Sequence, residues 1–308
     1  MLAVINKFKT SRIIRNSGLS IVDQFLGLAL SLFLTILFAR FLGASSLGHY
    51  TLALSIGGIV TVFSGFGIQV TLRRLVAQFG VRKLNLYFSN SVTIRTLLSL
   101  PLSIIFTLAV NYLSGFDFHT SSVVLLGCLY VNFTSYILMS CGVLISLHRN
   151  DLVLQFNVIL KLFNLLVSLA VLLLGYGIIE VMFALCISTL LMCLRVTHII
   201  THFSGALRFS FNYRFFKTFI LVSIPLSLAG AAEFLNLKLD NVLLGAMDSE
   251  WVAGIYAAAF QIVMAFTYIP LALSKVYFPN FVDMYFNGSR NSSFALFKRY
   301  FLLFTVYS

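Results

Sequence analysis

This 308-residue sequence has little acid. Nine Asp and Glu stand against 21 Lys and Arg, and all charged residues together make up 10% of the chain. Tryptophan occurs once, and proline and cysteine four times each. A typical soluble domain carries about 25% charged and about 45–50% apolar residues. Here 60% are apolar and the mean hydropathy is +1.00. Too little polar side chain exists to coat a globule of this size in water. That excludes a soluble enzyme, a disordered chain and a collagen-like or coiled-coil fibre. The composition is that of an integral membrane protein.

The rarer residues narrow the chemistry further. Cys128, Cys141, Cys186 and Cys193 all fall in apolar stretches, where cysteine behaves as a small hydrophobe. None forms a CxxC pair, and no His stands at ligand spacing from another metal-binding residue, so no disulfide framework, metal site or cofactor is expected. No nucleophile–base set or Gly-rich phosphate loop occurs, and the chain is not expected to be an enzyme. Asn132-Phe133-Thr134 fits a glycosylation pattern but lies inside an apolar run. An excess of base over acid would suggest nucleic acid in a soluble protein. No basic run here is long enough to track phosphates, and basic residues collect in cytoplasmic loops whatever a membrane protein does. Nucleic acid is not an expected partner; the bilayer is.

A bilayer core needs about 20 apolar residues per helix. Eight stretches qualify, at 18–42, 50–72, 87–111, 122–147, 152–174, 178–200, 218–245 and 251–274, and a ninth begins near 294. The first is too long for a signal-peptide core and lacks a small-residue cleavage site, so it is expected to stay as an anchor.

Loop charges orient these spans. With the N-terminus inside, the inner segments carry Lys7, Lys9, Arg12 and Arg15, then Arg73, Arg74, Arg82 and Lys83, then Arg149. Arg208, Arg214 and Lys217 follow, and last Lys275, Arg290, Lys298 and Arg299. The outer loops at 43–49, 112–121, 175–177 and 246–250 contain no Lys or Arg, but hold Asp117, Asp248 and Glu250. Lys and Arg near span ends resist translocation, so a cytoplasmic N-terminus is expected. The segments 1–17, 201–217 and 275–293 mix aromatic or aliphatic with basic residues, as stretches at the headgroup level do.

A motif recurs along the chain. Phe41-Leu42-Gly43 precedes Gly48-His49-Tyr50 around the first outer loop, and Leu243-Leu244-Gly245 precedes Gly254-Ile255-Tyr256 around the fourth. Spans 1–2 thus return as spans 7–8, a repeat unit of six spans. Glycine in a tight outer turn supplies positive φ, and Tyr at a span start suits the aromatic belt. Two parallel six-helix halves are a transporter plan with the substrate path between them.

The stretch ARFLGASSLGHYTLALSI, followed by FSGFGIQVTLRRLVAQ, resembles the opening of the polysaccharide-export branch of the MOP superfamily. That branch includes O-antigen flippases; lipid II flippases and multidrug MATE exporters are its cousins. KLDNVLLGAMDSEWVAGIYAAAFQIV, with the later Pro270 and Phe278-Pro279, is similar to the family's span 7–8 region. The resemblance implies an all-α, polytopic membrane protein with a MATE-like two-lobe helical bundle. It divides the chain into an amphipathic segment 1–17, a six-helix lobe 18–200, a cytoplasmic linker 201–217 and an incomplete second lobe 218–308. Members usually have twelve or more spans, so the chain is expected to be a C-terminally truncated member.

Charges inside spans are costly, about 2.5–3.5 kcal/mol each at mid-bilayer, and mark functional candidates. Lys161 lies in the middle of span 5 and shares one helix face with Asn157, Asn164 and Ser168. That stripe suits either the wall of a hydrated cavity or a Lys bonded to neighbouring helices. Span 1 carries Ser20, Gln24, Gly27, Ser31 and Thr35, with Asp23 beside them. Small residues at helical spacing serve close helix packing as well as cavity lining. Asp23 has two options, a cation within the membrane or the headgroup level near Arg12 and Arg15.

Span 7 holds Glu233, Lys238 and Asp240, with Asn236 and Asn241, and Pro225 and Gly230 permit a bend there. In the family this span lines the cleft, which implies headgroup contact or ion pairing for Lys238 and Asp240. A neutralised Lys238–Glu233 or Lys238–Asp240 pair near the outer surface is the other reading. Arg95 lies about a third of the way into span 3. Arg40 and Arg195 stand near span ends, where long cationic side chains snorkel. Gly57-Gly58, mid-span, reads as a packing or bending site.

Five cations within spans (Arg40, Arg95, Lys161, Arg195, Lys238) against four acids (Asp23, Glu180, Glu233, Asp240) favour an anionic cargo. With the resemblance, the expected function is flipping of a polyprenyl-diphosphate-linked oligosaccharide, an O-antigen or exopolysaccharide repeat unit, across the bacterial inner membrane by alternating access. A polysaccharide polymerase and ligase complex would be its neighbours. A MATE-like drug or metabolite antiporter, and a non-transporting scaffold, are the alternatives.

Overall fold

The computed structural model describes residues 2–65, 67–79, 84–114, 117–147 and 149–204, then 216–217, short pieces between 228 and 244, 251–264 and 266. All regular elements among them are α-helices: α1 (Leu2–Gly65), α2 (Ile68–Phe79), α3 (Leu84–Ser114), α4 (Phe118–Ser146), α5 (Asn150–Leu173), α6 (Ile178–Ser204) and α7 (Trp251–Met264). Of these, α1 from Val22, α3, α4, α5 and α6 are long and apolar enough to cross a membrane. The chain is a multi-pass membrane protein.

Helix α1 is two rods, not one. Its single non-helical residue is Gly43, at φ 80° and ψ 176°. A straight helix would separate Phe38 from Tyr50 by roughly 18 Å at 1.5 Å per residue. Their ring centroids lie 4.9 Å apart, edge to face. The chain therefore folds back at Gly43, where a positive φ suits a residue without Cβ. The two arms, 2–42 and 44–65, correspond to the first two expected spans.

Two boundaries depart from the sequence reading. The second span ends at Gly65, not near residue 72, and residues 68–79 form the separate helix α2. Gly67, at φ 64°, makes the break. Helix α2, with the sequence IQVTLRRLVAQF, buries Ile68, Leu72 and Val76 on one face and exposes Arg73 and Arg74 on another. An amphipathic helix lies against a bundle or interface more readily than it spans one. It packs along α4, where Ser146 Oγ donates to the Arg73 carbonyl at 3.2 Å. Residues 2–17, expected as a separate headgroup-level segment, are helical and continuous with the first span. No Gly or Pro interrupts the chain before Gly18.

Helix α4 stands at the centre, touching α1, α2, α3, α5 and α6. The crossing of α1 and α4 is glycine-built. A Cβ on Gly57 would sit 2.9 Å from the Gly127 carbonyl oxygen, and one on Gly127 would sit 2.6 Å from the Ala53 Cβ. Gly57 is thus a packing site, of the kind that lets membrane helices approach by their backbones. The apolar core is split in two. One cluster joins α2, α3, α4, α5 and α6 around Leu72, Phe88, Met139, Leu144 and Val196. The other joins both arms of α1 to α4 and α6 around Phe38, Leu52, Val124 and Met182. Between them runs a buried polar belt of Ser103, Asn132, Ser135, Asn164, Ser168 and Ser188.

Candidate functional site

The polar belt opens onto a cavity where α1 and α5 face each other, at Asn164. Two adjoining chambers of about 270 and 260 Å³ open there. Ser31, Lys161 and Gln261 line both. The first chamber extends toward Gly43, past Thr35, Tyr50, Thr51, Tyr130 and Asn164. The second extends the other way, past Asp23, Gln24, Gly27, Thr134 and Asn157.

The stripes on spans 1 and 5 meet here, residue against residue. Asn157 Nδ2 donates to Asp23 Oδ2 at 2.8 Å. One turn further along, Lys161 Nζ donates to Ser31 Oγ at 3.4 Å, and Ser31 Oγ donates to the Gly27 carbonyl at 2.7 Å. Lys161 also lies within electrostatic reach of Asp23. Gly27 makes room for this: a Cβ there would collide with Nζ. Asn164, a turn on, donates to the Tyr130 hydroxyl at 3.4 Å and accepts from Ser188 Oγ. Gln24 Oε1 is buried with no hydrogen-bond partner among the described residues. An ammonium, several amides and a row of hydroxyls thus converge on one half-enclosed space.

The other candidates stand apart. Arg95 lines neither chamber. It is buried within the bundle, donates to Ser135 Oγ, and lies near Gly65 at the end of α1. Asp240 accepts a hydrogen bond from the Tyr256 hydroxyl of α7 at 2.8 Å. Glu233 and Lys238 fall outside the described residues, as do Pro225, Asn241, Pro270, Phe278 and Pro279. Arg195 is exposed at the rim of a separate apolar groove between α5 and α6.

Beyond the Gly43 end of the first chamber, the His49 and His119 rings lie 5.8 Å apart. Asp117 sits there too. Its carboxyl is held below the usual range by the Thr120 hydroxyl bond at 2.9 Å and, less, by charges on His119 and His49.

This cavity belongs to a fold and a family already seen. The model for a family described as "Polysaccharide biosynthesis protein" matches residues 13–285. The chain belongs to that family. Two solved structures share its fold. A chain given as "protein A" is 16% identical, with a TM-score of 0.66, over 91% of this chain and 66% of its own. The MATE multidrug transporter DinF-BH is 15% identical, with a TM-score of 0.63, over 97% of this chain and 70% of its own. The expected MATE-like helical bundle is therefore the observed one, and this family member spans about two thirds of the length of those structures. No curated protein matches the chain.

Sequence reasoning missed Tyr130, Thr51 and Gln261 as lining residues. Gln261 had a legible signal, since it shares a face of α7 with Gly254 and Ala257. Tyr130 had none. A tyrosine in an apolar helix reads as packing until a neighbour such as Asn164 is placed beside its hydroxyl.

Proposed function

We propose that this chain moves a polyprenyl-diphosphate-linked oligosaccharide, an O-antigen or exopolysaccharide repeat unit, across the bacterial inner membrane by alternating access. The observation that carries the reading is Lys161 Nζ at the junction of two chambers between α1, α4, α5 and α7, where polar side chains interrupt an otherwise apolar lining. Phosphate oxygens are strong acceptors matched by an ammonium and by amide donors. Here Lys161 supplies the charge, with Asn157, Asn164, Gln24 and Gln261 around it. Hydroxyls of Ser31, Thr35, Thr51 and Tyr130 suit sugar hydroxyls, which both donate and accept. Asp23 offsets Lys161 while the cavity is empty and yields it to an incoming anion.

In this reading residues 18–200 form the N-terminal lobe, 201–217 the cytoplasmic linker, and 218–308 part of the second lobe, which α7 represents at the cavity. The N-terminus is cytoplasmic, so the Gly43 turn faces outward. The prenyl tail stays in the bilayer while the headgroup crosses between the lobes. Family and fold point to a transporter rather than an enzyme. A polymerase and a ligase would take the delivered units.

The experiment is a clean deletion in the source bacterium, with surface glycan and lipid-linked oligosaccharide quantified together. Loss of surface glycan with inward accumulation of lipid-linked units is the expected result. Unchanged glycan with altered susceptibility to cationic drugs would replace this reading by a MATE-like antiporter. The observation favouring that second reading is the carboxylate of Asp23 in the cavity wall.

A further inference from the structure

The repeated motif does more than mark a duplication: its two glycines meet. Gly48 belongs to the first copy, Gly48-His49-Tyr50, and Gly254 to the second, Gly254-Ile255-Tyr256. A Cβ on Gly254 would fall on the Ala44 carbonyl oxygen and lie 3.0 Å from the Gly48 amide nitrogen. Backbone therefore touches backbone where the start of α1's second arm meets the start of α7. No side chain intervenes. Ala253 and Ala257, on either side of Gly254, are fully or nearly buried, and Ala258 joins the apolar cluster around Phe38.

This contact roofs the cavity. Tyr50, Thr51 and Leu54, the next residues along α1, line the first chamber, and so do Ala257, Phe260 and Gln261, the next along α7. The seam lies between the cavity and the Gly43 turn, which is expected to face outward. Phe38 braces it from below by its edge-to-face contact with Tyr50.

We infer that the Ala44–Gly48 segment and Gly254 form the outer gate of the transport path, closed by backbone contact and opened by parting α7 from α1. The inference rests on the alternating-access reading and on the cytoplasmic N-terminus. Small residues let the two backbones pack tightly, and a small separation of the helices ends that contact. It also makes the closed state uniquely sensitive to one added methyl. A ligand or a substitution shifts a two-state equilibrium only by its difference between the states. A side chain at Gly254 clashes in the closed state and is free in the open one.

The test reads accessibility rather than glycan. Thr51→Cys, in a background where Cys128, Cys141, Cys186 and Cys193 are replaced, is labelled in intact cells by a membrane-impermeant maleimide. The expected result is at least tenfold faster labelling when Gly254→Val is added. Gly18→Ala, whose added Cβ meets nothing within 4 Å among the described residues, leaves the rate unchanged. Unaltered labelling in a Gly254→Val protein present at normal level would overturn the gate. Should that variant not accumulate, Thr51→Cys alone decides: labelling from outside in transporting cells supports a gate there, and complete protection throughout transport removes it. Failure of the substrate reading would show separately, as normal surface glycan in the deletion strain with labelling still gated at Gly254.

Discussion

Lys161 and Gly27 face each other across the α1–α5 interface so closely that a single Cβ on the glycine would collide with the ammonium nitrogen. The pairing explains two features at once. It accounts for a glycine in the interior of a long helix, where it costs about 1 kcal/mol relative to alanine. It also accounts for how a cation sits mid-bundle with its nitrogen turned to Ser31 Oγ and the cavity rather than to lipid.

Gly27→Val is therefore expected to behave as a Lys161 mutant without touching Lys161. The added side chain expels Nζ from between the two chambers while leaving the apolar packing of α1 nearly intact. Export of surface glycan should fall by tenfold or more, with the protein still present in the membrane at close to the parental level. Glycan output at parental level in that variant would show that the position of the ammonium is immaterial.

Lys161→Ala should abolish export, and Lys161→Arg should restore only part of it. Arginine keeps the charge, but its planar fork needs more room than a point ammonium, and Gly27 leaves little. The measurement is the ratio of lipid-linked to surface glycan at matched protein levels. Equal output from all three forms would remove Lys161 from the substrate path.

The polar stripes were legible in the sequence because helical spacing alone places Asn157, Lys161, Asn164 and Ser168 on one face. That this face meets the stripe on span 1 was not, since spacing says nothing of which helices are neighbours. Arg95 shows the limit most clearly. Depth along span 3 made it a cleft candidate, but depth along an axis does not distinguish a cavity wall from the inside of a bundle. The turn at Gly43 was read correctly from glycine chemistry. The break at Gly67 was passed over because the apolar residues of α2 blur into the end of span 2. Span 7, with Glu233 and Lys238, is where the sequence reading keeps its expectations, since those residues lie outside the described part of the fold.

Asp23 gives a test of the counter-charge. Asp23→Asn retains an acceptor for Asn157 Nδ2 but removes the negative charge near Lys161. If Asp23 offsets the ammonium between substrates, the Asn variant should bind a diphosphate-linked glycan more tightly and turn over more slowly. In purified protein this appears as a several-fold lower Kd for the lipid-linked oligosaccharide, with reduced flipping in vesicles. Unchanged affinity would mean that Asp23 acts only through Asn157.

Arg95 and Ser135 should part company from the transport residues. Buried within the bundle, Arg95 donates to Ser135 Oγ. Removing that acceptor leaves a charged donor unsatisfied, a loss of about 1–3 kcal/mol or more. Replacing the arginine by an apolar side chain of similar volume removes the need for a partner and is often neutral or stabilising. Ser135→Ala is thus expected to lower the melting temperature in detergent, whereas Arg95→Met keeps or raises it, and the double variant recovers most of the loss. Glycan export should track the amount of folded protein in all three. A folded Arg95→Met protein that had lost export would return Arg95 to the substrate path, because a purely structural cation leaves no such signature once the fold is intact.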